Sequence, residues 1–246
     1  MIFGLEFPPI DNLVVWPGFF NKIALIYLIA LIVPVILFAL AIRQEGYVPR
    51  GVRQIAEGTV TFIEKGIIMP TIGPDGLVYL PFLLSLFLFI AISNLFEVVP
   101  FFHMPANARM GGPIVFALIV WVTWIYIGVK NHGGGFIKGI LFPPGVPKAL
   151  YILVTPIEFL STFLIRPFSH AVRLFANMLA GHILLVTFSV LCISLWVASA
   201  LFIIQIPTFA MLVALTGFEI GVAFLQAFVF TILTGVYIGG SLHPAH

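Results

Sequence analysis

The run ALYILVTPIEFLSTFLIRPFSHAVRLFANMLAGHILLVTFSVL, residues 149–191, decides how this chain is to be read. It is apolar over most of its length and contains no Gly/Pro/Asn cluster that would mark a turn. As a single helix rising 1.5 Å per residue it would be about 60 Å long. The hydrocarbon core of a bilayer is about 30 Å thick. A second run of similar length, residues 197–239, has the same character. Each run either folds back on itself or crosses a membrane at a steep tilt, and the missing turn signals favour tilt.

Composition agrees with a membrane solvent. Of 246 residues, 61% are hydrophobic and 8% are charged, whereas soluble domains carry about 25% charged residues. So little charge cannot coat a water-facing surface. The formal net charge of +2 and the lack of a basic run give no reason to expect a nucleic-acid partner. Cys192 is the only cysteine, so no disulfide can form within the chain, and it reads as a small buried apolar residue. The first residues carry Glu6 and Asp11 without a basic leading region and do not resemble a cleaved signal peptide.

Outward from the long runs, the pattern predicts an all-α integral membrane protein with about five membrane helices. Residues 1–22 form an outer N-terminal segment of one continuous membrane domain, 1–246. A first span covers 23–42. Arg43, Arg50, Arg53 and Lys65 follow it, which places its far end in the cytoplasm and the N-terminus outside. Residues 51–70 mix charge with Val52, Ile55, Val60, Ile63 and Ile67, as a short amphipathic surface helix does. Spans at 77–99 and 113–129 form a hairpin, 77–129, around an outer loop that contains Pro100, His103 and Arg109. Gly133, Gly134 and Gly135 then suggest a flexible inner loop, and Lys130, Lys138 and Lys148 mark that side as cytoplasmic. The two long helices, 149–191 and 197–239, are antiparallel, and the C-terminus is cytoplasmic.

Ionisable groups inside membrane helices are costly and point to function. The first long helix carries Glu158, Arg166, His170, Arg173, Asn177 and His182. At 100° per residue Arg166, His170, Arg173 and Asn177 share one stripe, which Glu158 and Thr162 extend inward. His182 falls on roughly the opposite side. On the last helix Gln205, Thr208, Thr216, Glu219 and Gln226 lie near one stripe. Arg166, near the inner boundary, reads as a snorkelling anchor. Arg173 does not. Its guanidinium cannot usefully lose a proton, so it holds a fixed charge that needs a carboxylate or water. Glu158 is four turns away and Glu219 has His182 to pair with, so the partner carboxylate is expected from another subunit.

Residues 173–182, Arg-Leu-Phe-Ala-Asn-Met-Leu-Ala-Gly-His, closely resemble the signature of subunit a of F-type ATP synthases. Glu219 to Tyr237, centred on Leu225-Gln226-Ala227-Phe228-Val229-Phe230, resembles the second signature of the same family, and the stretch from Asn94-Leu95 to Pro100 agrees with it. The resemblance implies a membrane subunit that is not itself catalytic, with no cofactor and no metal. It implies that Arg173 faces the proton-carrying carboxylate of a rotating c-ring. Asn177, His182, Glu219 and Gln226 would line the proton's path in from outside. Glu158, Ser169 and His170 would line its path out, although Glu158 stands one residue further from Arg173 than the family pattern. The implied partners are the c-ring, b-type peripheral-stalk subunits, lipid and the translocated H⁺, in a bacterial plasma membrane rather than an organellar inner membrane. A stand-alone secondary transporter would also bury Arg, Glu and His, but no internal two-fold repeat accompanies them here. A scaffold subunit of a respiratory complex would have no use for a charge like that of Arg173.

Overall fold

The computed structural model describes residues 21–44, 50–99, 105–142, 147, 150–197 and 202–243. The readings made on the first twenty residues, on Pro100 and His103, on Lys148 and on residues 198–201 lie outside the described residues. Among the described residues every element is helical. In chain order these are α1 (Lys22–Ile42), α2 (Val52–Ile63), α3 (Met69–Thr71), α4 (Leu80–Leu95), α5 (Gly111–His132), α6 (Gly134–Leu141), α7 (Tyr151–Leu160), α8 (Arg166–Val197) and α9 (Phe202–Leu242). Among the described residues five stretches are long and apolar enough to cross a membrane: Lys22–Ile42, Pro74–Leu95, Gly111–His132, Tyr151–Leu195 and Ile204–Leu242. Most of their large apolar side chains that are exposed, such as Leu31, Val122, Ile152, Leu164, Phe209 and Val213, have no cover within the chain. Lipid or partner subunits must supply it.

Over the described residues both long runs are continuous, without a fold-back, and the first helix ends at Val197 rather than 191 while the second is described from Phe202. The first is interrupted only by a single widened turn, the π segment Ser161–Ile165, in which the Arg166 amide reaches back five residues to the Ser161 carbonyl. A second π segment, Glu64–Ile68, links α2 to α3, and the Met69 amide there bonds to the Glu64 carbonyl. Each π segment ends two residues before a proline, Pro167 in one case and Pro70 in the other. A proline ring clashes with the preceding helical turn and offers it no N–H. Widening that turn relieves the clash without ending the helix.

Several boundaries move from the sequence expectation. The surface helix is amphipathic only over α2. From its last residue onward Ile63, Ile67 and Ile68 are fully buried against α4 and α9, and the helix runs on to Thr71 through Pro70. The second span starts as a 3-10 turn, Pro74–Tyr79, and its helix stops at Leu95 rather than 99, the chain passing through turns at Phe96, Glu97 and Val98 ahead of Pro100. The expected flexible inner loop is instead a helix, α6. Gly133, at φ 60, ends α5 by taking a conformation that only glycine adopts easily, and α6 begins at the next residue. His132 ends α5, with its Nε2 3.2 Å from the Leu242 carbonyl. Cys192 is partly exposed rather than buried.

The core lies where α4, α5, α8 and α9 meet, around Phe87, Ile90, Trp124, Leu174, Met178, Phe230 and Ile238. α8 packs along α9, and both rest on α5, while α1 leans on α4. Towards its C-terminal end, α9 opens a groove at Gly235 and Gly239 that receives Thr71. A Cβ on Gly235 would stand 2.6 Å from Thr71 Oγ1, and one on Gly239 would run into the Thr71 carbonyl. Small residues one turn apart let backbones approach this closely in lipid.

Gly239→Ala must therefore separate α9 from the Thr71 turn at a cost of about 1–3 kcal/mol. Gly240→Ala, which meets nothing within 4 Å, is the matched control. Thermal unfolding of the purified subunit in detergent should show a lower midpoint for the first variant and an unchanged one for the second. Equal midpoints would show that the close approach does not exist.

Candidate proton-path site

Arg173 is the middle residue of the run Tyr151–Leu195. It lies on the exposed face of α8, flanked there by Ser169, Ala176, Asn177 and Ala180. The opposite face, with Ala171, Leu174 and Met178, is buried. No acidic side chain among the described residues forms an ion pair with Arg173. A permanent cation is therefore displayed halfway along a membrane helix, on a surface the chain leaves uncovered.

Asn177, one turn on, donates from Nδ2 to the Gln226 Oε1 of α9 at 2.7 Å. Gln226 is buried, and so are Gln205, Thr208 and Glu219, so the polar stripe of α9 faces protein rather than lipid. Glu219 is 4% exposed. Its carboxyl group occupies the space left by a missing side chain at Gly181: a Cβ there would lie 2.6 Å from Cδ and 2.8 Å from Oε1, and would collide with Oε2. His182 is the next residue of α8 and is half-buried. The Glu219 carboxyl thus lies against the turn of α8 that precedes His182, and the glycine at 181 is what makes room for it.

A further carboxyl joins this region that the sequence reading passed over. Glu97, in the turn after α4, is 1% exposed, and neither of its oxygens has a hydrogen-bond partner among the described residues. It stands close enough to Glu219 for the two charges to interact. A polar chain holds the end of α4 in this place. Tyr27 of α1 donates its hydroxyl to Asn107 Oδ1 at 3.0 Å. Asn107 Nδ2 donates to Ser93 Oγ at 2.9 Å and to Asn94 Oδ1 at 2.6 Å. Asn94 Nδ2 reaches the Ala223 carbonyl of α9, one turn beyond Glu219, at 3.5 Å. Ser93, Asn94 and Asn107 are all fully buried, so four elements share one hydrogen-bonded cluster that brings Glu97 towards Glu219.

The inner-side candidates do not stay together. Ser169 is exposed beside Arg173, and Glu158 is half-buried on α7. His170 leaves the stripe on which the sequence pattern placed it. It turns 4% exposed into the α8–α9 contact, its ring 3.8 Å from that of Phe230 and its Nε2 without a partner among the described residues. The reason is angular: three residues of helix rotate His170 and Arg173 apart by about 60°, and the edge of the exposed face falls between them. Arg166, read as a snorkelling anchor, sits with its guanidinium 6.0 Å from the Tyr237 ring centre. It borders a cavity of about 360 Å³ that Trp124, Phe136, Tyr237 and Ser241 also line. A small void sharing Trp124, Arg166 and Tyr237 continues from there to His170.

Residues 23–239 match the family described as ATP synthase A chain. Proteins named ATP synthase subunit a resemble the chain over most of its length. The protein from Frankia alni is 38% identical over 93% of this chain and 80% of its own. Those from Rhodococcus erythropolis and Maricaulis maris are 38% and 39% identical over 96% and 87% of this chain, and 88% and 85% of their own. With five membrane-length helices, two of them long and C-terminal, and this extent of similarity, the chain belongs to the ATP synthase A chain family.

Proposed function

We propose that this chain is the stationary proton-conducting subunit of the membrane sector of an F-type ATP synthase, and that it couples proton flow to the rotation of a c-ring. The observation that carries the proposal is Arg173, a fixed cation at the midpoint of Tyr151–Leu195, on an exposed face, with no ion-pairing carboxylate among the described residues. An isolated cation at that depth is costly. A deprotonated carboxylate on a passing ring helix supplies the missing partner. Beside Arg173 the exposed face of α8 carries the small residues Ser169, Ala176 and Ala180, which suits close approach by another helix. The steep tilt of α8 and α9 follows from their length against a core of about 30 Å and lets them track a curved partner.

In this reading protons arrive from outside through a path lined by Asn177, His182, Glu219 and Gln226, to which we add Glu97. Imidazole suits a relay that must both accept and release. Buried carboxyls that feel each other's charge offer resting places for a proton. A proton that neutralises a ring carboxylate lets it enter lipid, and a site returning by rotation discharges on the inner side near Glu158, Ser169 and His170. Arg173 stands between the two paths, repelling protons and admitting only a deprotonated ring site. Each charge transferred is worth about 2.3 kcal/mol per 100 mV, and several are summed to drive one ATP synthesis at other subunits. The N-terminus faces outward and the C-terminus inward across a bacterial plasma membrane. The remaining apolar surface is left for lipid and b-type stalk subunits.

ATP-driven proton pumping by the assembled complex in inverted membrane vesicles tests the central claim. Arg173→Ala should abolish pumping while the complex stays intact and ATP hydrolysis persists. Undiminished coupled pumping would reject the proposal. Gly181→Ala puts a methyl group where the Glu219 carboxyl sits and should slow pumping about tenfold. Gly58→Ala, which meets nothing within 4 Å, should not. Shortening the displaced acid in Gly181→Ala/Glu219→Asp should recover part of the loss, and a Gly181→Ala enzyme that pumps normally would remove Glu219 from the path.

A further inference from the structure

The π segment Ser161–Ile165 poses a hydrogen-bond question that the chain answers in an unusual way. A turn that skips a residue leaves a carbonyl without its helical donor. Here the carbonyl is that of Thr162. Its α-helical donor would be the Arg166 amide, which is already bonded to Ser161. The next residue is Pro167, which has no N–H. Thr162 is fully buried, so neither water nor a lipid headgroup reaches the carbonyl. The donor comes from another helix: Trp121 Nε1 of α5 donates to the Thr162 carbonyl oxygen at 3.2 Å. The indole is also held edge-on to Phe163, ring centres 5.9 Å apart, and Phe163 stacks on Phe159 at 5.0 Å.

The lodged residue has a rotational consequence. Fifteen residues of uninterrupted helix would leave Glu158 about 60° from Arg173, in phase with Ala176 on the edge of α8 turned away from α9. Absorbing one residue in the wide turn rotates α7 by about 100°. Glu158 then falls about 40° to the other side of Arg173, in phase with Asn177, on the edge where α8 hydrogen-bonds to Gln226 of α9. We infer that Trp121 is a positioning residue for proton release: its indole N–H stabilises the one-residue insertion at Thr162, and that insertion sets Glu158 on the α9 side of the Arg173 face. The inference rests on the proposed role of Glu158 on the inner path. It also accounts for the extra residue between Glu158 and Arg173, which the wide turn takes out of the rotational count.

The test is genetic suppression, read as ATP-driven pumping by the whole complex in inverted vesicles. Trp121→Phe keeps a ring against Phe163 and removes the N–H, and should lower pumping about fivefold or more. Deleting Thr162 together with Pro167→Ala, which supplies the missing N–H and removes the ring that the wide turn accommodates, makes the helix regular and keeps Glu158 in phase, so this enzyme should pump close to the wild-type rate. Combined with Trp121→Phe, this pair of changes should restore pumping to the level of the pair alone, because no orphan carbonyl remains. A residue needed only for packing would not be rescued in this way. If Trp121→Phe fails to assemble, the amount of subunit in the membrane becomes the readout and the same comparison decides. Normal pumping by Trp121→Phe, no rescue by the pair, or an inactive enzyme carrying the pair each overturns the inference. Glu158→Gln is read separately: wild-type pumping by that variant would overturn the inner-path role of Glu158 itself, so the two failures appear on different variants.

Discussion

Lipid offers no hydrogen bonds, and the arrangement of this chain follows from that. A backbone carbonyl or side-chain amide at membrane depth must find its partner inside the protein. Thr231 and Thr234 of α9 do so locally, donating to the carbonyls one turn back at 2.8 and 2.9 Å. Asn107 does so across elements, binding α1 through Tyr27 and α4 through Ser93 and Asn94. The Thr162 carbonyl relies on an indole from α5. The rule goes unmet among the described residues at both oxygens of Glu97, at Thr162 Oγ1, Glu219 Oε2, His170 Nε2 and Gln226 Nε2, and all of these but Thr162 belong to the two proposed proton paths. Groups that must exchange protons with passing water are the ones a static fold leaves incomplete.

Proline shapes the fold by the same rule. Pro34 and Pro207 are accommodated within otherwise regular helix. Pro70 and Pro167 are each preceded by a wide turn at the same spacing. The wide turns keep the helices running where a break would have exposed several backbone groups at once. In both cases the wide turn is itself buried: Ile67 and Ile68 in the core, and Thr162, whose backbone carbonyl is met by Trp121 of α5.

Much of this was legible from residue order alone. The spans, the long C-terminal helices and the polar stripe of α9 follow from hydropathy and a 100° period, and Arg173, Asn177, Glu219 and Gln226 were marked by their cost in lipid. The pattern misjudged other points for identifiable reasons. Helical phase alone could not say where the exposed face of α8 ends, and so it grouped His170 with Arg173. The π turns have no periodic signature of their own, and a proline in an apolar run signals a bend, a break or a widening alike. Glu97 was within reach of the same cost argument, but it was read as the tail of a span. Only the early end of α4 and the Asn107 cluster reveal that it turns inward. Gly133 to Gly135 suggested flexibility by composition, yet only Gly133 needs glycine's backbone freedom, and the others start a helix.

The groove at Gly235 and Gly239 has a mechanical side. It clamps α9 to the Thr71 turn near one end of a 41-residue helix. Buried positions crowd the segment from Glu219 to Ser241, whereas between Ile204 and Phe218 only Gln205 and Thr208 are buried. Such a helix is a cantilever, stiff at its clamped C-terminal end and increasingly compliant towards Ile204. A sideways load applied at mid-length is resisted by the C-terminal half and taken up as bending by the N-terminal half. In the proposed motor, tolerance for a moving neighbour is then built into the compliant half, while the clamped end keeps its register.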